Sequence, residues 1–417
     1  MVATLTATEQ AIRLDRAPLQ AALKRVNNVV PTRSTKTILQ CVRLEAARGS
    51  LRVSATDCDV SVSMTVECEG ELSPCVVNAR ELVQRINASK NPRCSLHYDE
   101  EHATVVLNGG RVEHAIRMAA VEEFPFVPCH PVGRSIQIPA SALLHALKTC
   151  SSTAARESTR YAINGVLLES DGKGVRLVAT DGRRMSVVEA NGATGAYSGS
   201  VILPLRFASL VARFVGPKCA DAIEVFVDEQ PASEGQEAKP ARVYVCGANW
   251  MLTSDAAEGT FPRYRDVIPP AGSKFNVNRG ELINLVSEVS IAADSANQSV
   301  LLRFSKSSLR VSTASPGSGE SSGSMEAVFE GGGDEAVIIG VNPAYLTDAI
   351  KSLAGDEVVF DLRQNTLCER SNAVKSSPLC VRERYSESTV HVIMPVNLGL
   401  PPSLESLGSN CAALVTQ

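Results

Sequence analysis

Residues 162–181 read AINGVLLESDGKGVRLVATD. Two apolar stretches, 165–170 and 175–180, flank the turn-forming pair Asp171-Gly172. Apolar runs of this length on either side of a short glycine turn are typical of two antiparallel strands. The segment therefore predicts a β-hairpin whose second strand ends at Thr180-Asp181.

Two further segments of the chain have the same organisation. Residues 37–57 read TILQCVRLEAARGSLRVSATD, and residues 299–314 read SVLLRFSKSSLRVSTA. Each contains a strand-like stretch, a short polar turn and a second strand-like stretch. A pattern that returns at intervals of roughly 130 residues indicates an internal repeat. We therefore expect three copies of one structural unit.

The predicted helices recur with the hairpins, one before and one after each. Their apolar residues follow the i, i+3, i+4, i+7 spacing of an amphipathic helix. Strands outnumber helices and are joined by short links, which favours antiparallel sheets. The predicted fold class is α+β, with three repeated domains of two helices packed on antiparallel sheets. The predicted helices span 18–30, 78–89, 141–150, 204–215, 281–291 and 342–353.

Two Pro/Gly-rich stretches, at 130–133 and 269–272, predict the domain boundaries. The expected domains are 1–132, 133–270 and 271–398, and the remaining residues 399–417 are expected to form a loose tail. Residues 229–240, 316–323 and 331–333 are expected to be mobile loops.

The composition is that of a globular protein. The 417 residues are 44% hydrophobic and carry a formal charge of −4, which excludes a basic, histone-like nucleic-acid coat. No apolar run approaches the roughly 18 residues of a membrane span, and the N-terminus does not resemble a signal peptide. The 12 cysteines include no CxxC spacing. We expect a cytoplasmic protein with reduced cysteines in its core and no membrane partner.

The formal charge is unevenly distributed along the chain. The windows around the six predicted helices, 17–30, 78–90, 140–152, 204–218, 278–293 and 342–355, together carry +7, so the rest of the chain carries −11. Basic helices on an acidic protein could face a polyanion, although solvated helix faces would give the same count. Aromatic residues are only 4% of the chain, which argues against base stacking on single strands. If the ligand is a nucleic acid, a duplex held through its phosphates without base preference fits best.

The chain contains none of the common catalytic motifs. It lacks a GxxxxGK[ST] loop, a GxSxG elbow and an HExxH pair, so no catalytic, metal or cofactor site is predicted. Asp57 and Asp181 could form a carboxylate site, but they recur at equivalent strand ends, where aspartate commonly stabilises a turn. Two other readings stay open: an enzyme that uses one of these aspartates, and a repeat scaffold that binds only proteins.

Five stretches of the chain resemble the bacterial DNA sliding clamp family, the beta subunit of the DNA polymerase III holoenzyme. The resemblance covers about residues 10–398 and depends on the order and spacing of all five. They are 31–39 (PTRSTKTIL), 160–165 (RYAING), 178–185 (VATDGRRM), 259–269 (GTFPRYRDVIP) and 392–396 (VIMPV).

This resemblance implies a ring of two crescent-shaped subunits joined head to tail, with helices lining a hole that holds duplex DNA. The implied function is processivity: the ring tethers the replicative DNA polymerase subunit and slides with it. The implied partners are a second copy of the chain, a clamp loader that uses ATP, and other proteins with clamp-binding peptides. The clamp itself would hydrolyse nothing and hold no cofactor.

The resemblance also implies a hydrophobic pocket for partner peptides between the second and third domains. Its expected members are Ile163, Thr180, Gly182, Arg183, Arg184, Met185, Pro262, Val267, Val392, Met394, Pro395 and Val396. Four expected DNA contacts lie at family positions, Arg33, Arg80, Tyr161 and Arg206. Placement on predicted helices and loops adds Lys24, Arg25, Arg160 and Arg213.

The chain departs from the family pattern at several of these places. Ala162 and Glu157 alter the DNA-facing loop of the second domain, and Asp266 and Asn397 replace basic residues near the pocket. The family ends near Leu398, whereas this chain continues for 19 residues. We hypothesise that the tail lies near the pocket and competes with partner peptides.

Overall fold

The computed structural model describes residues 11–129, 131, 134–156, 161–217, 219, 221–229, 241–293, 299–315, 319–330, 337–362, 366–367, 374–375 and 377–396. The predicted hairpins are present. Leu44 lies opposite Val53 in the first, and Leu302 lies opposite Val311 in the third. In the second, the Asp171 N–H donates to the Gly174 carbonyl across the predicted turn (3.3 Å). All six predicted helices are confirmed.

The helices and strands follow the same order in the first two repeats, and the third repeat adds two short strands after its second helix. The first contains β1 (Ala11–Asp15), α1 (Arg16–Val26), β2 (Cys41–Ala47), β3 (Ser50–Thr56), β4 (Val60–Glu67), β5 (Glu69–Gly70), β6 (Leu72–Asn78), α2 (Ala79–Ala88), β7 (Arg93–Asp99), β8 (Thr104–Asn108) and β9 (Glu113–Ala119). The second contains β10 (Ser135–Pro139), α3 (Ala140–Thr153), β11 (Gly165–Asp171), β12 (Val175–Thr180), β13 (Arg184–Glu189), β14 (Thr194–Gly195), β15 (Ser198–Pro204), α4 (Leu205–Val215), β16 (Ala222–Asp228), β17 (Arg242–Gly247) and β18 (Trp250–Asp255). The third contains β19 (Ser273–Asn278), α5 (Arg279–Val289), β20 (Val300–Phe304), β21 (Ser308–Ser315), β22 (Gly319–Glu326), β23 (Val328–Glu330), β24 (Val337–Val341), α6 (Pro343–Ser352), β25 (Glu357–Leu362), β26 (Thr366–Leu367), β27 (Val374–Lys375), β28 (Leu379–Glu383) and β29 (Ser386–Ile393).

The chain forms two compact units. The first comprises residues 1–148, 165–176 and 190–259, and the second comprises 149–164, 177–189 and 260–417. Within the first unit, one sheet continues from the first repeat into the second because β4 pairs with β18, with Val62 opposite Leu252. Within the second unit, β13 of the second repeat pairs with β29 of the third, with Ser186 opposite His391. Each unit therefore contains one junction between successive repeats, built from equivalent strands.

Three helices begin at an asparagine whose side chain accepts a backbone hydrogen bond. Asn78 accepts from Glu81 N (3.1 Å) and Asn342 accepts from Ala344 N (2.9 Å), as predicted. Asn278 makes the same bond to Glu281 N (3.0 Å). These caps satisfy donors that have no partner inside the first turn of a helix.

The core of the third repeat contains residues of its two helices, α5 and α6, and of strands that belong to two sheets. Phe275, Phe304 and Phe360 are fully buried. The ring centroid of Phe304 lies 4.9 Å from that of Phe275 and 5.1 Å from that of Phe360. Aromatic pairs at such separations add to the free energy gained from apolar burial. This repeat thus has its own hydrophobic core.

The prediction of a mobile loop over 316–323 is wrong for residues 319–323. These residues belong to β22, which pairs with β21 and places Ser322 opposite Ser312. Their small side chains allow helix α5 to approach closely, since a Cβ at Gly323 would lie 2.5 Å from Leu285 Cδ1. The glycine and serine content therefore reflects close helix–sheet packing. Residues 230–240, 316–318 and 331–333 lie outside the described residues.

The cysteine prediction is confirmed for most of the described thiols. Seven of them are buried, and burial raises the pKa of Cys75 and Cys246 to about 12. Cys58 and Cys129 are exposed, however, so the expectation of a core position is wrong for these two. Across the described ranges, no helix combines the length and apolar character that crossing a membrane requires.

Candidate functional site

A turn stabilised by threonine and aspartate follows the hairpin in the second repeat. Thr180 Oγ1 donates to the Arg184 carbonyl (2.8 Å), and Asp181 Oδ1 accepts from the backbone N–H groups of Arg183 and Arg184 (both 2.9 Å). The first repeat has the same turn, in which Thr56 bonds to Val60 O and Asp57 to Val60 N. Both carboxylates thus act as turn formers, which removes the support for a carboxylate active site.

The third position of this turn needs a left-handed backbone. Gly182 occupies it with φ of +85° in the second repeat, but Cys58 occupies it with φ of +81° in the first. A side chain with a Cβ is strained in this region, whereas glycine is not.

Replacing Cys58 with glycine should therefore stabilise the protein. Relief of strain should exceed the extra entropy of glycine in the unfolded chain, for a net gain of about 0.5–1 kcal/mol. The urea unfolding midpoint would measure it. Cys58→Ala retains the Cβ and serves as the control, and an equal gain in Cys58→Ala would contradict this explanation.

Arg184 connects the turn to α6 and to the last turn of α3. Its guanidinium bonds to Asp181 (3.2 Å), to Asp348 of α6 (2.7 Å) and to the Ser152 carbonyl near the end of α3 (2.7 Å). The group also lies 4.5 Å from the centre of the Tyr345 ring. With 15% of its side chain exposed, Arg184 holds the turn in place and is not a solvated turn residue.

The other predicted pocket residues also belong to the second unit. The Met394 N–H donates to the Arg183 carbonyl (2.9 Å), and Met185 lies opposite Val392 across β13 and β29. Val267 and Met394 are 42% and 41% exposed, and Pro262 is also exposed. Ile163, Thr180, Pro395 and Val396 are half-buried, and Gly182 and Arg183 are exposed. Apolar side chains of this set thus remain accessible, whereas Met185 and Val392 are buried.

A small cavity of about 10 Å³ lies among residues of the second unit, close to the smallest volume that holds one water molecule. Arg184, Met185 and Val392 line it together with residues that sequence reasoning missed. No sequence signal marked these residues, because they come together only through tertiary packing. They are Thr153, Ser186, Tyr345, Asp348, Ala349, His391 and Ile393.

The predicted DNA-facing cations fall into two groups. Lys24, Arg33 and Arg80 are exposed. Arg206 and Arg213 of α4 are also exposed, but Arg206 forms an ion pair with Asp57 and Arg213 donates to Asn28 Oδ1 (2.9 Å). Arg160 lies outside the described residues, as does the side chain of Tyr161.

Arg25 is better explained as a packing residue. Its guanidinium donates to the Phe214 carbonyl and lies 4.6 Å from the Phe214 ring centre and 5.6 Å from that of Trp250. Burial lowers the pKa of Arg25. These contacts join α1 to α4, so packing between the two helices sets the position of Arg25. Among the described residues, no three His, Cys, Asp or Glu side chains converge as a metal site would require.

Comparison with known proteins identifies homologues over nearly the whole chain. Models of the DNA polymerase III beta subunit match in three parts: the N-terminal domain at 11–128, the central domain at 137–263 and the C-terminal domain at 265–397. The beta sliding clamp of Synechococcus elongatus is 26% identical over 393 residues, covering 91% of this chain and 97% of that protein. The Pseudomonas aeruginosa beta sliding clamp is 25% identical over 389 residues, covering 92% and 99%.

Solved structures agree with these matches. The Pseudomonas aeruginosa DnaN sliding clamp bound to griselimycin has a TM-score of 0.81 at 23% identity, covering 94% of this chain and all of that chain. The Bartonella birtlesii DnaN sliding clamp has a TM-score of 0.78 at 25% identity, with the same coverage. The predicted resemblance and fold class are confirmed: the chain belongs to the DNA polymerase III beta subunit family of sliding clamps.

Proposed function

We propose that two copies of this chain close head to tail into a ring around duplex DNA and act as a processivity factor for a replicative DNA polymerase. The observation that carries the proposal is the repeated strand junction. The third strand of the hairpin region in one repeat pairs with the last strand of the next, as β4 with β18 and β13 with β29. A third junction of the same kind would join β22 of one copy to β9 of the other.

The open edges of these two strands support this arrangement. Among the described residues, β22 is the edge strand of its sheet and pairs only with β21. Over Glu113–Arg117, β9 pairs with β8, while its contact with β6 is limited to Met118 and Ala119. Unpaired strand edges readily accept another strand. Each copy would offer β22 to one neighbour and β9 to the other. A ring closed by two copies would therefore contain two such contacts.

We propose that the eight expected residues face the DNA phosphates; they are Lys24, Arg25, Arg33, Arg80, Arg160, Tyr161, Arg206 and Arg213. Contacts of this kind carry no sequence information, so the ring would accept any duplex. A closed ring retains DNA by topology and does not require tight binding, which would oppose sliding. This explains why a chain with net charge −4 can serve as a clamp.

We propose that the twelve residues of the peptide pocket bind short segments of the polymerase, the clamp loader and other partners. The exposed side chains of Val267 and Met394 would contact apolar peptide side chains, and methionine adapts to varied shapes. The family consists of non-catalytic processivity factors, and we propose the same of this chain. It would need no metal or cofactor, would leave ATP hydrolysis to the loader, and would act in the cytoplasm.

We propose domain boundaries at 1–132, 133–270 and 271–398, followed by the tail 399–417. The hypothesis that the tail competes with partner peptides has a direct test. Deleting 399–417 should tighten binding of a clamp-binding peptide by about threefold to tenfold, since a tethered competitor lowers the apparent affinity. Unchanged affinity in fluorescence anisotropy would refute the hypothesis.

The mass in solution tests the ring most simply. Sedimentation equilibrium should give twice the chain mass at micromolar concentration. A monomer at all accessible concentrations would contradict the proposal and would favour the alternative of a repeat scaffold that binds only proteins.

A further inference from the structure

A cavity of about 270 Å³ lies at the junction of the first two repeats, wholly within the first unit. Its walls come from the turn between β3 and β4, from the segment 125–128 and from the strands β17 and β18. The volume is slightly below the range of about 300–1,000 Å³ that is typical of sites for drug-sized ligands. We call this space the first-unit cavity; the residues on which the argument depends are Asp59, Ser61, Pro125, Phe126, Pro128 and Thr253.

The first-unit cavity is the repeat equivalent of the predicted peptide pocket. The turn at 56–60 reads TDCDV and the turn at 180–184 reads TDGRR, and both are closed by a hydrogen bond from the threonine hydroxyl. The next shared segment reads FPF at 124–126 and FPR at 261–263. The pairing of β4 with β18 corresponds to that of β13 with β29. Equivalent parts of the fold therefore build both sites.

The two sites differ in the side chains that the paired strands provide. Across β13 and β29, Met185 lies opposite Val392. At the equivalent place across β4 and β18, Ser61 lies opposite Thr253. Two apolar side chains are thus replaced by two hydroxyl-bearing ones, so the first-unit cavity is suited to a more polar ligand.

The charge of the turn is also reversed between the two sites. The exposed residue of the second turn is Arg183, and its equivalent in the first turn is the exposed Asp59. Asp255, which also lines the cavity, is neutralised by two contacts from Arg242 (2.7 and 3.4 Å). Over the described part of the chain, Asp59 has no such cation. The first-unit cavity therefore carries one negative charge that a basic ligand could neutralise.

An exposed aromatic ring lies beside this charge. Phe126 is 77% exposed, although large apolar side chains are usually buried in a folded chain. The segment that contains it is held in place, because Phe124 and Val127 are buried and Arg52 donates to the Pro128 carbonyl (2.7 Å). The exposure of the ring is thus a property of an anchored wall of the cavity.

One wall residue also has an unused hydrogen-bonding group. Thr253 is only 3% exposed, and its Oγ1 has no hydrogen-bond partner. A buried hydroxyl without a partner costs free energy, because water does not replace the missing bond. A polar group of a ligand in the cavity could provide this partner.

We propose that the first-unit cavity binds a segment of a partner protein in which an arginine is flanked by apolar residues. The guanidinium would pair with Asp59 and lie against the Phe126 ring, since arginine both pairs with carboxylates and stacks on aromatic faces. The flanking apolar side chains would contact Pro125 and Pro128. A cavity with a negative charge repels phosphate, so a peptide is favoured over a nucleic acid. This site goes beyond the proposed function, because it requires neither the ring nor the predicted peptide pocket.

Two labelled peptides test the proposal by fluorescence anisotropy at low ionic strength. The arginine probe has the sequence GLRLG, and the glutamate probe has the sequence GLELG. The unmodified chain should bind the arginine probe about fivefold more tightly than the glutamate probe, and the variant Asp59→Arg should reverse this order. The Glu67→Arg variant is the matched control, because Glu67 is an exposed carboxylate at the other end of β4. It should retain the preference of the unmodified chain.

A second pair of variants tests the aromatic wall. Phe126→Ala should weaken binding of the arginine probe by about twofold to fivefold, because it removes the ring on which the guanidinium lies. Tyr385→Ala removes another exposed aromatic side chain, in the third repeat, and should leave the affinity unchanged. Urea unfolding of each variant verifies that it is folded.

The variant Met394→Asp separates this site from the predicted peptide pocket. It alters that pocket and should bind the arginine probe as tightly as the unmodified chain, whether or not the proposed function holds. The proposal is overturned if the arginine probe does not bind at millimolar concentration, or if Asp59→Arg retains the original order of the two probes. An equal loss of binding in Glu67→Arg, Tyr385→Ala or Met394→Asp would also overturn it.

Discussion

The Ile291→Asp variant should sediment as a monomer at concentrations where the proposed dimer of the unmodified chain forms. Ile291 is 85% exposed and lies two residues after α5. Asn28 holds the same place after α1, and there it contacts Arg213 of α4 in the following repeat. By this equivalence, Ile291 should face helix α2 of the second copy. Burying an isoleucine contributes about 2 kcal/mol, and burying an unpaired carboxylate costs at least as much, so the dimer should weaken at least 100-fold.

Val328→Asp provides the matched control for this substitution. Val328 is also an exposed β-branched residue (51%), but it lies in β23, at the far edge of its sheet. The same chemical change there should leave the dimer intact. Sedimentation equilibrium over a range of concentrations measures both variants. An Ile291→Asp variant that dimerises like the unmodified chain would show that the third junction is not built as proposed.

The Met394→Asp variant should lose most of its affinity for clamp-binding peptides while remaining a dimer. Its side chain is 41% exposed, but its backbone N–H is held by the Arg183 carbonyl (2.9 Å). The substitution should therefore alter the pocket surface without releasing the strand. Replacing an apolar contact by a desolvated carboxylate costs about 2–3 kcal/mol, which corresponds to a 30- to 150-fold weaker complex.

Tyr385→Asp is the control for Met394→Asp. Tyr385 is an exposed apolar residue (84%) of the third repeat that is not among the predicted pocket members. Its substitution should change peptide affinity by less than about twofold, because a substitution on the surface away from the pocket has a small effect. Fluorescence anisotropy with a labelled peptide measures both variants. Equal losses at Tyr385 and Met394 would indicate that the peptide binds elsewhere.

Much of the fold was predictable because its signals are local. The spacing of apolar residues placed all six helices, and Asn78 and Asn342 marked two helix starts through caps that the structure contains. The turn role of Asp57 and Asp181 was also predictable, since aspartate bonds to the backbone two or three residues later. The prediction of a mobile loop was wrong for residues 319–323, because small residues also permit the close packing of α5 on β22.

The parts that sequence reasoning missed depend on contacts between distant segments. Arg25 has the charge of a phosphate contact, yet it packs on Phe214, which is 189 residues away in the chain. Ser186 and His391 are 205 residues apart, and neither belongs to a motif. Arg184 was expected at the pocket, but its bond to Asp348 of α6 could not be predicted from spacing. Contacts between residues that are distant in the sequence decide the surroundings of Arg25, of Arg184 and of the Ser186–His391 pair. A single sequence does not show which distant residues are in contact.

Release from linear DNA shows whether the protein encircles the duplex. The chain is loaded onto a nicked circular plasmid by a clamp loader with ATP, and the plasmid is then cut once. The protein should stay with the circle and leave after the cut, because a ring slides off a free end. Retention on the cut plasmid, or failure to remain on the circle, would contradict encirclement of the duplex.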